Sequence, residues 1–326
     1  MLALTVTAGS TFAQGFDVLA LGARGGIQDG NLSAFMIHPS NDPRAITCDA
    51  GTVVAGLIRA DESGTLDAVQ VPADSDYTRV GHVLTAVIRG YLISHAHLDH
   101  ISGIIVASPD DSAKPIYALE SVLGAIEDTY FNWIAWPNFG DAGTEPRLGK
   151  YAYTALEPGT PRELADTAMS VTAFPLDHGG TEAAGFLIES GDDAILCLGD
   201  TGPDSVQGTD NLDRVWRAVA DRAASGDLKA IIVEVSYTSD QPDASLFGHL
   251  TPRYLRQELG KLERYAGGSG ALEGLPVIVS HIKYSLKAGQ TPQKRIGAEL
   301  EDDDALGIRF IIPEQGERWQ FGDWKP

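Results

Sequence analysis

At 326 residues, with 43% hydrophobic and 21% charged side chains, the chain has the composition of a folded globular protein, long enough for one large domain or two modest ones. Its formal net charge of −21 repels long polyanions and anionic lipid surfaces, so neither a long nucleic acid nor a membrane is expected as a partner. A small phosphate-bearing molecule stays open, because bound divalent cations can invert a local potential.

The chain starts on an uncharged, small and apolar stretch, Leu2 to Ala13, ending Ser10-Thr11-Phe12-Ala13-Gln14. That stretch is similar to the tail of a secretory signal with cleavage near Ala13, lacking the positively charged start. Residues 1–14 are therefore expected to be a signal remnant and 15–326 a single domain, in a periplasmic or secreted protein; a cytoplasmic one is the alternative. No later segment is long and apolar enough to read as a membrane span.

Asp17 to Gly22 predicts a first strand, and the loop Gly22-Ala23-Arg24-Gly25-Gly26 follows it. As a dinucleotide fingerprint that loop is weak, since Leu32 to Ile37 reads as another strand rather than a helix. Ala45 to Asp49 predicts a third strand, closed by Asp49-Ala50-Gly51-Thr52 and followed by a helix to Arg59. His82 to Arg89 reads as helical, Tyr91-Leu92-Ile93 as a buried strand, and Ile101 to Ala107 as a helix. A short strand after residue 115, a helix from Leu119 to Tyr130 and an aromatic cluster (Tyr130, Phe131, Trp133, Trp136, Phe139) come next. Strands are expected at Ser170 to Phe174, Gly185 to Glu189, Ala194 to Leu198, Ala230 to Val235, Pro276 to Ser280 and Ile308 to Ile312. Helices are expected at Asn211 to Ala224, Thr251 to Tyr265 and Thr291 to Leu300. Strands recurring with helices between them suggest two packed sheets with helices outside. Cys48 and Cys197 both fall in apolar runs and read as core strand residues; nothing in the sequence pairs them.

The hexapeptide His95-Ala96-His97-Leu98-Asp99-His100 carries the chemistry. Leaving a buried strand, His95 and His97 can grip one ion while Asp99 and His100 reach a second. Imidazole with carboxylate suits zinc, manganese or iron, and the absence of cysteine argues against a structural zinc site. Three later strand ends repeat the theme: His178 after Phe174-Pro175-Leu176-Asp177, Asp200 in Gly199-Asp200-Thr201, and His281 after Val279-Ser280. One such residue alone reads as a cap or turn. Together with the hexapeptide they complete two metal positions. His38 and His82 have no partners in this pattern.

The order His-x-His-x-Asp-His, then His178, then Gly199-Asp200, then His281 resembles the metallo-β-lactamase superfamily. The resemblance implies an α/β fold, an αββα sandwich with a binuclear site at one edge, and Asp49-Ala50-Gly51 as a supporting turn. It also implies that His95, His97 and His178 hold one ion, that Asp99, His100 and His281 hold the other, and that Asp200 bridges them. The run from His95 through Ser102-Gly103 to Ala107-Ser108-Pro109 is more narrowly similar to the class II 3′,5′-cyclic nucleotide phosphodiesterases. Asn132 to Asn138, Gly248-His249-Leu250-Thr251-Pro252 and Ser280-His281-Ile282-Lys283 resemble that family too, so the likeness spans roughly Asp17 to Pro313.

That family opens 3′,5′-cyclic AMP, and cyclic GMP as a second substrate, to the 5′-monophosphate. The expected cofactor is a pair of divalent ions, Zn²⁺ first and Mn²⁺ or Fe²⁺ as alternatives, sharing a bridging hydroxide. Breaking P–O3′ releases a ribose alkoxide that needs a proton. His249, outside the ligand set, is the expected donor, with Glu234 orienting it and raising its pKa; Asp99 belongs to the catalytic set as a ligand. Lys283 is placed on a phosphate oxygen. Trp133 and Trp136 either stack the base or belong to the core. A homodimer is compatible with all of this. The competing functions are another hydrolase on the same scaffold (an RNA 3′-end nuclease, a lactonase or a β-lactamase) and a non-catalytic nucleotide binder, which would need a broken ligand set.

Overall fold

A computed structural model describes residues 15–302 and 305–325; the expected signal remnant lies outside them. Seven strands of the first sheet run in the order β16-β1-β3-β4-β5-β6-β7. They are β1 (Phe16–Gly22), β3 (Ala34–Pro39), β4 (Ala45–Cys48), β5 (Ile88–Leu92), β6 (Lys114–Ala118), β7 (Tyr151–Ala155) and β16 (Arg318–Phe321). A second sheet of seven runs β15-β13-β12-β11-β10-β9-β8. Its members are β8 (Arg162–Glu163), β9 (Ser170–His178), β10 (Thr181–Ser190), β11 (Asp193–Leu198), β12 (Leu228–Glu234), β13 (Pro276–Ser280) and β15 (Arg309–Ile311). Two short strands, β2 (Arg24–Gly25) and β14 (Ile282–Lys283), pair in parallel and tie the loop after β1 to the chain leaving β13.

The inner strands of the second sheet are buried on both faces, and their side chains alternate between two cores. Ala230 and Ile232 of β12, Ile195 and Cys197 of β11 and Ile278 of β13 enter a core shared with the first sheet. Ile231 and Val233, Leu196 and Leu198, and Val277 and Val279 enter a second core with Trp216 and Leu259. Those two come from α6 (Asn211–Ser225) and α7 (Pro252–Tyr265), which cover the outer face. The other helices are α1 (Val54–Glu62), α2 (Arg79–His82), α3 (Leu98–Ala107), α4 (Glu120–Thr129), α5 (Asp204–Gln207) and α8 (Pro292–Glu301).

Two sheets with helices outside is the expected architecture, and the differences are local. The segment His82 to Arg89 is not one helix: α2 ends at His82, a π-helical turn covers Val83–Val87, and Arg89 is already in β5. Helix α3 begins three residues before its expected start, so Asp99 and His100 sit in its first turn rather than in a loop. The strand before His178 runs on to include it, because β9 pairs along its full length with β10. Strands β7 and β16, short members at the sheet edges, have no counterpart in the sequence reading. Cys48 and Cys197, whose pairing the sequence leaves open, form a disulfide with Cα atoms 6.7 Å apart, joining the two sheets through the shared core.

Direction places the site. Strands β4, β5, β6 and β7 are mutually parallel, as are β11, β12, β13 and β15, and β9 runs the same way as β11 across the antiparallel β10. Their C-terminal ends deliver Asp49, His95, His178, Asp200, Glu234 and His281 to one edge of the sandwich. Ligand sites in α/β folds gather at such carboxyl ends.

Candidate metal centre and its proton-handling neighbours

All seven expected ligands converge there. One oxygen, Asp200 Oδ2, lies 3.3 Å from His100 Nε2, 3.2 Å from His281 Nε2, 3.8 Å from His178 Nε2 and 4.0 Å from His95 Nε2. His95 Nε2 and His97 Nδ1 face each other at 2.9 Å, and His281 Nε2 is 3.1 Å from Asp99 Oδ2. The donor atoms fall into overlapping groups that could each hold an ion, among them His95 with His97 and His178, and Asp99 with His100 and His281. Except for half-buried Asp99 and exposed His97, these side chains are buried.

The backs of the imidazoles are anchored. The Nδ1–H of His100 donates to Asp49 Oδ2 (2.7 Å) and that of His178 to the Gly248 carbonyl (2.9 Å). Ser94 Oγ donates to Asp49 Oδ2 and so accepts from His95 Nδ1. Ser236 Oγ donates to Glu234 Oε2 and accepts from His281 Nδ1 at 2.9 Å in the same manner. Each sheet thus carries a carboxylate–serine–histidine chain that turns the Nε2 lone pair inward, the usual outer shell of a metal-binding histidine. His100 Nε2 is buried with no hydrogen-bond partner among the described residues. Such an atom is costly unless something binds it, so the donor set fits a pair of divalent ions.

Close packing holds these groups in place. A Cβ on Gly25 would lie 2.2 Å from the His281 ring, so only glycine lets β2 pass behind that ligand. His281 itself has φ 58° and Asp49 φ 55°, left-handed conformations that non-glycine residues adopt at a cost and that cluster at functional sites.

Charge follows the geometry. Burial opposes a charged His100, but the Asp200 and Asp49 carboxylates outweigh it and raise its pKa well above the ordinary value. Burial also opposes ionised Asp200, yet His281 and His100 hold its pKa well below the usual carboxylate range. His95 and His178 are lowered, by burial first.

His249 and Glu234 meet as expected: His249 Nδ1 donates to Glu234 Oε1 at 3.1 Å, and the same oxygen accepts the Leu250 N–H at 3.0 Å. The expected rise in the His249 pKa is corrected. Burial pushes it down to about 4, and Glu234 is itself pushed up to about 7 by burial and the neighbouring Asp200 carboxylate. Lys283 Nζ donates to His249 Nε2 at 2.8 Å and lies 5.4 Å from the centre of the Tyr237 ring. The Trp133 indole N–H donates to Pro146 O from an exposed position, and that of Trp136 to Ser108 Oγ from a position packed on the core. Sequence reading missed Ser94 and Ser236. The signal for Ser236 is its spacing, two residues beyond Glu234, which puts both side chains on one side of the extended chain.

Comparison with known proteins narrows the chemistry. Residues 16–316 match the family of cAMP phosphodiesterases class-II. A 3′,5′-cyclic-nucleotide phosphodiesterase of Aliivibrio fischeri is 46% identical over 319 residues, 98% of this chain and 96% of that protein. One of Schizosaccharomyces pombe is 28% identical, covering 94% of this chain and 93% of the relative. The crystal structure of unliganded yeast PDE1 superposes with a TM-score of 0.80 at 25% identity, over 94% of this chain and 99% of that one. The metallo-beta-lactamase fold protein YhfI of Bacillus subtilis shares the fold alone, with a TM-score of 0.59 at 15% identity, over 94% of this chain and 99% of that one. With the family's span covering nearly all of the sandwich and its ligand-bearing edge, the chain belongs to the class-II cAMP phosphodiesterases, built on the metallo-β-lactamase fold.

Proposed function

We propose that this phosphodiesterase opens 3′,5′-cyclic AMP at its P–O3′ bond, and cyclic GMP as a second substrate, at a binuclear site. His95, His97 and His178 hold one position, Asp99, His100 and His281 the other, and Asp200 is shared. The observation that carries the reading is the single Asp200 oxygen facing four anchored Nε2 atoms at 3.2–4.0 Å. Divalent ions bound there would supply Lewis acidity to the phosphoryl oxygens and a water of lowered pKa. The thiolate-free imidazole and carboxylate donors support Zn²⁺ as the resident ion, with Mn²⁺ and Fe²⁺ accepted by the same set.

The chain's own residues handle the leaving group. A water oxygen adds to phosphorus, the P–O3′ bond breaks, and O3′ takes a proton to give 5′-AMP. Glu234 fixes His249 through Nδ1, which leaves Nε2 pointing outward at Lys283 Nζ. The proton for O3′ is held at this His249–Lys283 pair, and Lys283 also offers its charge to a non-bridging phosphate oxygen. An oxidising compartment, periplasmic or extracellular, is supported by the Cys48–Cys197 disulfide and by the apolar, uncharged start of the chain.

Incubation of metal-loaded protein with 3′,5′-cyclic AMP, followed by chromatography, tests the reading. It requires 5′-AMP that disappears with chelator; 3′-AMP, or no product, overturns it.

A further inference from the structure

A cavity of about 530 Å³ opens beside the catalytic pair, sharing Ser236, Tyr237 and Lys283 with it. Its size falls within the range that holds small organic ligands. In a chain of net charge −21, it is lined by three cations, Lys283, Lys287 and Arg295, against one carboxylate, Asp240. That carboxylate is already paired with Arg295 at 3.1 Å. The wall therefore lacks the net negative charge of the rest of the molecule and does not repel an anionic nucleotide.

The paired strands β2 and β14 shape its rim. Arg24 sits beside Ile282 and Gly25 beside Lys283. As the two chains part, the next side chains to emerge are Tyr284 on one and Ile27 on the other, and both line the cavity. Tyr284 is 49% exposed and Ile27 62% exposed. The Tyr284 hydroxyl has no hydrogen-bond partner among the described residues, and no ring stacks on it. Tyr237, by contrast, already carries Lys283 over its face and has its ring against His249. An uncommitted aromatic face thus stands one residue from the lysine that touches His249, while Gly26, beside Ile27, donates its N–H to Asp99 at 2.8 Å.

We propose that this cavity receives the nucleobase, stacked on the Tyr284 ring with Ile27 closing the rim, while the phosphate lies over the metal centre. The assignment rests on the cyclic-nucleotide reading above, and it moves base recognition from Trp133 and Trp136 to the other side of the site.

The test compares 3′,5′-cyclic AMP with a base-free diester that has no aromatic ring, methyl riboside 3′,5′-cyclic phosphate, on metal-loaded wild-type, Tyr284→Ala, Tyr284→Phe and Trp133→Ala proteins. Loss of one base–aromatic stack predicts a KM for cyclic AMP raised roughly 5- to 150-fold in Tyr284→Ala. The kcat and the rate on the base-free diester should hold, and Tyr284→Phe should behave as wild type. By calorimetry, 5′-AMP binding should weaken by the same factor while ribose 5-phosphate binding stays. An unchanged KM in Tyr284→Ala, an equal loss on both substrates, or a KM effect confined to Trp133→Ala overturns the proposal. Wild-type protein that cleaves the base-free diester but not cyclic AMP overturns the substrate reading, and the base pocket with it.

Discussion

The Oδ2 of Asp49 accepts the Nδ1–H of His100 at 2.7 Å, while His100 Nε2, buried on the opposite edge of the ring, faces Asp200 Oδ2 at 3.3 Å without a hydrogen bond. Asp49 therefore acts on the site without touching its centre. It also holds Ser94, which in turn orients His95, so one carboxylate aims an imidazole into each proposed metal position.

Replacing Asp49 with Asn keeps a residue that tolerates φ 55° but removes the charge behind both rings. Metal affinity is expected to fall about 10- to 100-fold, the usual cost of losing such a partner. Elemental analysis after dialysis against graded chelator checks this, and excess metal should restore much of the activity. Wild-type retention would mean that the Asp49 contact does not tune the site.

Asp200→Ala removes the oxygen that four imidazoles share, so both ions should be lost together. His97→Ala, at the exposed margin, should weaken one position and spare the other. Stoichiometry by mass spectrometry under native conditions separates the two outcomes. Equal loss in both variants would argue against a shared bridging ligand.

His249→Ala is expected to lower kcat on cyclic AMP by about 10²- to 10⁴-fold, the range for losing a general acid, with metal content unchanged. The loss should shrink on an aryl diester, whose phenolate departs without a proton. Glu234→Gln should fall between wild type and His249→Ala, since it leaves the ring present but poorly held. If the penalty is the same for both leaving groups, His249 is not the donor to O3′.

Substituting both cysteines with serine tests the staple between the sheets. The bond spans a sequence separation of 149, and its removal is expected to cost up to about 5 kcal/mol, the chain-entropy value for a loop of that length. Chemical denaturation with and without reductant measures it, and thiol titration of the unfolded, unreduced protein should find none free. An unchanged midpoint would make the bond dispensable.

The convergence of the seven proposed ligands was legible because three of them stand at strand ends that break apolar runs, and the other four crowd into one hexapeptide. What escaped depends on tertiary placement. Ser236 looks like any turn residue until β12 and the His249 loop bring it between Glu234 and two imidazoles. Cys48 and Cys197 belong to different sheets, and no local pattern encodes which distant strands face each other. The early start of α3 carries Asp99 in the first turn, where its charge complements the helix N-terminus, in a polar stretch that reads as loop by composition. His249 shows the limit of pairwise reasoning: Glu234 is where it was expected, but burial outweighs the neighbour's charge.

Each proposed metal position draws donors from both layers of the sandwich: His95 and His97 with His178, and Asp99 and His100 with His281. Occupancy and the docking of the two layers are then thermodynamically linked, since neither layer alone presents a full set. Free ion at a hundred times its dissociation constant would add about 2.7 kcal/mol to the folded state, with no change in the hydrophobic contacts between the sheets. Chelation would loosen this enzyme as well as silence it.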